Sequence, residues 1–144
     1  MPLSDRRSGC PISHALDLMG DRWTLLVVRD AIFMGKRRFS EFQESDEGIA
    51  TNVLTDRLRS LQEIGVLDSR PDPEDGRRVL YEPTEKGLGL IPLLVEMLAW
   101  GGRYDPKSKV PAKVLREIER DRDAFVAKIE RKHRERLEAA RESE

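Results

Sequence analysis

Residues 48–67 read GIATNVLTDRLRSLQEIGVL, and this stretch decides how the rest of the chain is interpreted. Its leucines recur three or four positions apart, which predicts an amphipathic helix over residues 49–64. The opposite face is polar and carries Thr51, Asn52, Thr55, Asp56 and Arg59. Gly65 can adopt the left-handed conformation that ends a helix, and Val66 begins an extended segment. Such a polar face is typical of an ordinary surface helix and also of a helix that enters a DNA major groove.

The segments before this helix favour the second interpretation. Pro11 suits the first turn of a helix that Gly20 ends, and Asp21 is placed to cap a nearly all-apolar helix over residues 22–34. Ser40 and Gln43 match a capping box, which predicts a short third helix. A short helix, a glycine-containing turn and a longer amphipathic helix together predict a helix-turn-helix, although many helical bundles contain such a pair.

The segment after the helix predicts a β-hairpin. Residues 66–70 and 77–82 form its expected strands, and Pro71, Pro73 and Asp75-Gly76 supply the expected loop. A hairpin directly after a helix-turn-helix is a wing, here over residues 70–78. Arg77 and Arg78 would lie at its tip, where they could reach phosphates or a minor groove. A solvated hairpin with incidental arginines is the alternative.

A strongly apolar helix is expected from Thr84 to the Gly101-Gly102 pair, which should break it. Pro92 should either bend this helix or end one turn and start the next. One small domain cannot easily cover so apolar a helix, so a partner subunit is expected on it. Residues 103–111 form a linker by composition, and residues 112–140 alternate in charge. They predict one long solvated helix that packs on the domain or on a second subunit.

The composition of the 144 residues suits one domain, expected over residues 9–102, with an extension over residues 103–144. The net charge of −1 means that any basic surface is a patch, formed by Lys36-Arg37-Arg38 and Arg77-Arg78. A single cysteine excludes an intrachain disulfide. No long apolar run and no apolar signal-peptide core are seen, which predicts a cytoplasmic location.

Three segments taken together resemble the HxlR-type transcriptional regulators, a winged helix-turn-helix group related to MarR regulators. They are CPISHALDLMGDRWTLLVVRDAIFMGKRRFSEFQ, GIATNVLTDRLRSLQEIGVL and YEPTEKGLGLIPLLVEMLAWG. The resemblance covers roughly residues 9–102. It implies a mainly helical fold with a small hairpin. Ala50 stands where members of this family often have a serine cap, so Thr51 is left as an alternative cap.

The resemblance also implies a homodimer that binds double-stranded DNA. The expected DNA contacts come from the polar face of the central helix, the tip of the wing and the segment that leads into the third helix. They are Arg37, Arg38, Ser40, Thr51, Asn52, Thr55, Asp56, Arg59, Arg77 and Arg78. The first and last helices of the core would pair across the two-fold axis. The expected interface residues are Ile12, Leu16, Leu88, Ile91, Leu94, Val95, Leu98 and Trp100.

Cys10 is the one residue with candidate covalent chemistry. It precedes a helix, where the helix dipole favours a thiolate, and His14 lies one turn further on the same face. Several HxlR-type regulators sense oxidants or electrophiles through a cysteine at this place. The alternative is a small residue at the dimer contact. No metal site or cofactor is expected, because Cys10 and His14 lack further ligands.

The sequence therefore predicts a dimeric winged-helix regulator that reads a palindromic operator, with half-sites about one helical turn apart. It does not predict an enzyme, since CxxC, phosphate-loop and serine–histidine motifs are missing. Two alternatives from other classes stay open: a winged-helix protein-interaction module, and a small thiol enzyme. The sequence does not identify an effector, whether a small molecule or an oxidant.

Overall fold

The computed structural model describes residues 8–144. The fold is mainly helical, with one two-stranded antiparallel hairpin as its sheet within those residues. The elements, in chain order, are α1 Pro11–Met19, α2 Thr24–Ile32, α3 Phe39–Gln43, α4 Thr51–Glu63, β1 Leu67–Asp72, β2 Asp75–Pro83, α5 Glu85–Leu88, α6 Ile91–Tyr104, α7 Ala112–Arg120 and α8 Arg122–Glu142. Of the helices in residues 8–144, none combines the length and apolar character needed to cross a membrane. Residues 1–7, part of the stretch searched for a signal peptide, lie outside the described residues.

Helix α2 lies at the centre of the hydrophobic core, as the sequence predicts. Its Val28 and Ile32 are buried together with Leu54 and Leu58 of α4 and with Phe42 of α3. The leucine stripe of α4 therefore faces inward, and its polar face is left outside. This packing fixes how the polar side chains of α4 are presented.

The starts of α2 and α3 differ from the sequence prediction. The Asp21 carboxylate accepts hydrogen bonds from the backbone N–H groups of Trp23 and Thr24, so a turn precedes α2 and the helix begins at Thr24, not at residue 22. At α3 the predicted Ser40–Gln43 capping box is wrong. The Glu41 carboxylate accepts from the backbone N–H of Arg38 at 2.8 Å, and α3 begins at Phe39.

Helix α4 begins two residues later than predicted, at Thr51, with Ala50 in the capping position. Thr51 does not cap the helix, because its hydroxyl accepts a hydrogen bond from Gln43 Nε2 at 3.1 Å. Among residues 8–144, no side-chain hydrogen bond caps this end. The other end follows the prediction: Gly65 has φ +80° and turns the chain into β1.

The hairpin is confirmed, with longer strands and a tighter turn than predicted. Pro71, expected in the loop, lies in β1 opposite Val79, and Asp72 lies opposite Asp75. The extended segment before α3 adds a short third edge, since Arg38 bridges Leu80 and the Tyr81 N–H donates to the Arg37 carbonyl at 2.7 Å. The wing is therefore held on both sides of β2.

The helix expected from Thr84 is divided in two, in line with one of the two roles considered for Pro92. The Thr84 hydroxyl accepts from the Gly87 N–H and caps α5, and Pro92 lies in the first turn of α6. The predicted break at Gly101-Gly102 is wrong, because α6 continues to Tyr104. A Cβ at Gly102 would lie 2.8 Å from Leu115 and Val110, so the glycine makes room for α7 to pack against α6.

The C-terminal extension forms two helices instead of the single long helix predicted. Asp121 adopts an extended conformation between them and caps α8, accepting from the Ala124 N–H at 3.0 Å. Ile118 and Phe125 are buried in the main core. Helix α8 then runs back to the base of the hairpin, where Arg141 pairs with Glu82. The extension therefore packs on its own subunit.

Candidate nucleic-acid interface

The polar face of α4 is exposed on the surface of the subunit. Thr51, Asn52, Thr55 and Arg59 are exposed, and Asp56 is half-buried. The Thr55 hydroxyl donates to the Thr51 carbonyl at 2.9 Å, which leaves its methyl group free. Among the residues that the structure describes, Asn52 makes no side-chain hydrogen bond. Its amide can therefore both donate and accept toward a ligand, as an adenine edge requires.

The arginines and the aspartate of α4 form a short ion-pair chain. Asp56 accepts from Arg59 at 2.7 Å and from Arg57 at 2.6 Å, and these bonds lower the pKa of the Asp56 carboxyl. Arg57 also pairs with Asp21 at 2.7 Å. Burial alone would raise the pKa of Asp21, but hydrogen bonds from Thr24 and Arg57 outweigh it and lower that pKa to about 2. Arg57 thus braces α4 against the start of α2, and Asp56 orients Arg59.

The tip of the wing carries two arginines that point to solvent. The Arg77 side chain is 91% exposed and pairs with Asp75 at 3.1 Å, while Arg78 is about half exposed and lies near Asp72 and Asp75. Ion pairs as exposed as these are weak, so either guanidinium can exchange its carboxylate for a phosphate at small cost. Both residues therefore fit the predicted contact with the flank of a DNA site.

The basic cluster before α3 is placed differently from the tip arginines. Arg37 pairs with Glu82 and Arg38 with the fully buried carboxylate of Asp72 at 2.8 Å. The hydrogen bond from Arg38 lowers the pKa of Asp72 to about 2. Both guanidinium groups hold the wing to the core, which makes them weaker candidates for phosphate contacts than the tip arginines. Ser40 is exposed on α3.

The predicted interface residues divide into two groups. Ile12, Leu16 and Trp100 are strongly exposed, at 72%, 62% and 70%. Leu98 is half-buried. The remaining four are buried in the core of their own subunit, which makes them weaker candidates for a dimer contact; they are Leu88, Ile91, Leu94 and Val95. Helix α6 is apolar on both faces, and the sequence pattern alone did not show which one turns inward.

The outward face of α6 supplies apolar residues that the sequence analysis missed. Leu93, Met97 and Tyr104 are exposed, and the Tyr104 ring lies 5.5 Å from the ring of Trp100. Next to them, α2 and α6 enclose an apolar groove of ≈ 670 Å³. Its lining includes Leu25, Leu26, Phe33, Met34, Met97 and Leu98. The sequence did contain a signal for this outward face, because Leu93 and Met97 are four residues apart and therefore lie on the same side of a helix.

Cys10 lies at the start of α1, where it occupies the capping position and is exposed. Its backbone N–H donates to Ser8 Oγ at 3.2 Å, and its carbonyl accepts from the His14 N–H at 3.0 Å. The thiol is therefore open to a reagent from solvent. It directly precedes the helix that carries Ile12 and Leu16.

Two further residues were missed because their roles depend on contacts between elements. Gln43 joins α3 to Thr51, and Arg57 joins α4 to Asp21. Thr51 is 8 residues from Gln43 and Asp21 is 36 residues from Arg57, and in both cases the partner lies outside the element, so helix periodicity does not indicate the contact. They position the exposed face of α4 without belonging to it.

Comparison with known proteins agrees with this geometry. The model of the HxlR-like helix-turn-helix family matches residues 18–109. An uncharacterized HTH-type transcriptional regulator of Mycobacterium bovis is 40% identical over 114 residues, which cover 79% of this chain and 71% of that protein.

Solved structures show the same winged helix-turn-helix fold. PA1607, described as a candidate transcription factor, is 44% identical with a TM-score of 0.66, and the match covers 75% of each chain. The reduced form of the transcriptional regulator YodB from B. subtilis is 29% identical with a TM-score of 0.56, over 71% of this chain and 100% of that one. Diamide-treated and quinone-bound forms of YodB are also known. The chain thus belongs to the HxlR-like helix-turn-helix family of transcriptional regulators.

Proposed function

We propose that this regulator binds a palindromic DNA operator as a homodimer, with α4 of each subunit in the major groove and the wing on the flank. One observation carries this proposal: the polar face of α4 is exposed, and Asn52 within it is free to read a base edge. Helix α8 passes behind the wing base and leaves this face uncovered. Arg77 at the wing tip adds a positive charge for the phosphates.

The homodimer is supported by exposed apolar surface at the two ends of the family core. Ile12 and Leu16 lie one turn apart on α1, and Met97 and Trp100 lie on the outward face of α6. The groove between α2 and α6 adjoins this face, since Met97 also lines it, and its volume of ≈ 670 Å³ leaves room for side chains of a partner helix. Exposed apolar patches of this kind are typical of subunit contacts. Two-fold pairing through them would set the spacing of the two α4 helices.

A redox or electrophile response through Cys10 is the finer part of the proposal. The thiol is exposed, and it lies on the helix expected to form the dimer contact. A bulky or charged adduct there would alter the pairing and hence the distance between the two α4 helices. An effector changes DNA affinity only if it favours one of these arrangements over the other.

A gel-shift titration on the promoter region of the protein's own gene, at two salt concentrations, tests the DNA-binding part. Sequence preference with a steep loss of affinity at higher salt supports the regulator. The absence of any shift, with the protein folded, would favour the protein-interaction module instead.

Treatment with diamide or a quinone, followed by mass spectrometry and the same gel shift, tests the role of Cys10. We expect an adduct on Cys10 and a changed DNA affinity, both missing in Cys10→Ser. A thiol that stays unmodified, or a response that persists in the variant, contradicts sensing. Turnover of a disulfide or peroxide substrate that is lost in Cys10→Ser would instead reveal a thiol enzyme.

A further inference from the structure

A small cavity lies where α8 packs against the core, away from the face proposed to bind DNA. Its volume is ≈ 160 Å³, and it is bounded by the end of α2, the end of β2 and the second half of α8. The lining consists of Ala31, Gly35, Arg37, Glu82, Pro83, His133, Arg136, Leu137 and Ala140. Most of these residues offer apolar atoms, and the polar ones are concentrated in two arginines, a histidine and one glutamate.

Two buried polar groups in this lining have no hydrogen-bond partner among the described residues. One is the imidazole of His133, of which neither ring nitrogen has a partner, and the other is Nε of Arg37. His133 is only 6% exposed. A buried donor or acceptor without a partner is costly, so such groups mark a place where a ligand is expected to supply the missing bonds. Burial, together with Arg136 and Arg134, lowers the pKa of His133, which leaves one ring N–H as a donor at neutral pH.

The charges around the cavity favour an anion. Its carboxylate, Glu82, is already shared among three arginines, with contacts to Arg37 at 2.5 Å, Arg141 at 2.9 Å and Arg70 at 3.1 Å. A second carboxylate nearby, Glu144, pairs with Arg70 at 2.6 Å and lies 3.5 Å from Arg37. With Arg136 in the lining, the arginines still outnumber these two carboxylates. Arg136 lies across Gly35, which has φ +69° and no side chain to obstruct it, and donates to the Ile32 carbonyl. Both unpartnered groups that can donate, Arg37 Nε and the His133 ring N–H, therefore lie in positively charged surroundings that a carboxylate would complement.

The size of the cavity limits the ligand to about one aromatic ring. Apolar cavities of about 150 Å³ in proteins accept benzene. We propose that this cavity is a binding site for a small organic monocarboxylate of about the size of benzoate. Its ring would lie against Ala31, Leu137 and Ala140, and its carboxylate would accept hydrogen bonds from Arg37 and His133.

The site connects the extension to the wing. Arg37 holds β2 through Glu82, and the same carboxylate holds Arg141 near the end of α8. A carboxylate bound at the free Nε of Arg37 would lie near Glu82, which accepts from another nitrogen of the same guanidinium, and repulsion between the two carboxylates would change how α8 is held at the base of the wing. Regulation by this ligand rests on the DNA binding proposed above, whereas binding of the ligand does not.

Nitrogen-15 NMR of the histidine rings during a benzoate titration tests the site without DNA. The chain has two histidines, so His14 on α1 serves as an internal reference. We expect the His133 ring resonances to shift and saturate below about 10 mM benzoate while those of His14 stay unchanged. Benzyl alcohol, which has the same ring without the charge, should bind at least about tenfold more weakly.

Two variants make the test specific. His133→Phe keeps a ring but removes both nitrogens, and Ala140→Leu fills the cavity; because His133→Phe removes the NMR reporter, its binding is followed by calorimetry. Each should weaken benzoate binding about tenfold or more, while Lys132→Ala, an exposed change on the same helix, should not. Thermal melts confirm that each variant is folded. No saturable shift of His133, equal affinity for the alcohol, or binding that survives Ala140→Leu would show a hydrated cavity only and overturn the site.

The regulatory step has its own readout. Saturating benzoate should change the affinity of the wild-type protein for its DNA site and leave Ala140→Leu unaffected. An unchanged affinity, with benzoate bound, would overturn regulation and leave the binding site standing. A protein that shifts no DNA with or without benzoate would instead contradict the proposed function.

Discussion

Asn52 is the residue from which the strongest test of base reading can be made. It is exposed on α4, and its amide has no partner within the described part of the chain. An Asn that contacts a base edge contributes about 1–3 kcal/mol of discrimination. We therefore expect Asn52→Ala to weaken binding to the preferred site by that amount and to leave binding to unrelated DNA nearly unchanged. Fluorescence anisotropy on the two duplexes measures both affinities.

Gln62→Ala is the matched control for this substitution. It removes an amide from the other end of the same helix, where Gln62 Nε2 donates to Ser69 Oγ at 2.7 Å. The control should keep the sequence preference of the wild type. Equal losses on both duplexes in Asn52→Ala would show that Asn52 does not read a base.

Asp72 gives a prediction of pH dependence. Its buried carboxylate accepts from Arg38 Nε and from the Glu74 N–H, and its pKa falls from 3.8 to about 2 on folding. A carboxyl whose pKa is lowered by folding stabilises the native state above its ordinary pKa, and this contribution is lost as the pH falls through the folded value. The wild type should therefore have a larger free energy of unfolding than Asp72→Asn at neutral pH. This difference between the two proteins should shrink as the pH is lowered from 3.8 to about 2.

Urea unfolding of both proteins across this pH range measures the difference. Asp68→Asn is a suitable control, since Asp68 is an exposed aspartate in the same strand. A stability difference between wild type and Asp72→Asn that does not change with pH would contradict the assignment of the ion pair to Arg38 and Asp72.

At the scale of elements, α8 is the part whose role depends most on long-range packing. Phe125 is 6% exposed and belongs to the main core. Truncating a buried phenylalanine costs about 3–5 kcal/mol, so we expect Phe125→Ala to lower the free energy of unfolding by that amount. Lys132→Ala, on the exposed side of α8, should change it by less than about 0.5 kcal/mol. A similarly small loss in Phe125→Ala would mean that α8 is not docked on the core.

The sequence predicted those elements whose signals are local. The leucine spacing and Gly65 located α4 to within two residues, and the hairpin followed from its turn residues. The break at Asp121 and the docking of α8 were not predictable in this way. Their cause is the burial of Ile118 and Phe125 against helices distant in sequence, which local spacing cannot reveal.

The site was predictable to a similar extent. The exposed residues of α4 and the wing-tip arginines follow from helix periodicity and hairpin position. The ion pairs that Arg37 forms with Glu82 and Arg38 forms with Asp72 could not be predicted from the sequence. In each pair the carboxylate lies more than 30 residues from the arginine. Which face of α6 turns inward did not follow either, because Ile91 and Leu93 are equally apolar and only the packed core distinguishes them.

At the scale of the whole molecule, the homodimer should depend on the exposed face of α1. Leu16→Asp places a charge in that face, and losing a central apolar contact at an interface costs about 2 kcal/mol or more. We expect the variant to be folded and monomeric at concentrations where the wild type is a dimer. Multi-angle light scattering gives the mass, with Val79→Asp, a change at an exposed apolar residue of β2, as the control. A Leu16→Asp variant that stays dimeric would place the interface elsewhere.

The central claim is that a symmetric dimer reads DNA with α4. It is tested most directly by selecting bound sequences from random duplex DNA and then measuring how many chains occupy the selected site. We predict an inverted repeat whose half-sites lie about 10 base pairs apart, centre to centre, occupied by two chains. Recovery of no preferred sequence, or of an asymmetric site bound by a single chain, would contradict a symmetric dimer that reads DNA with α4.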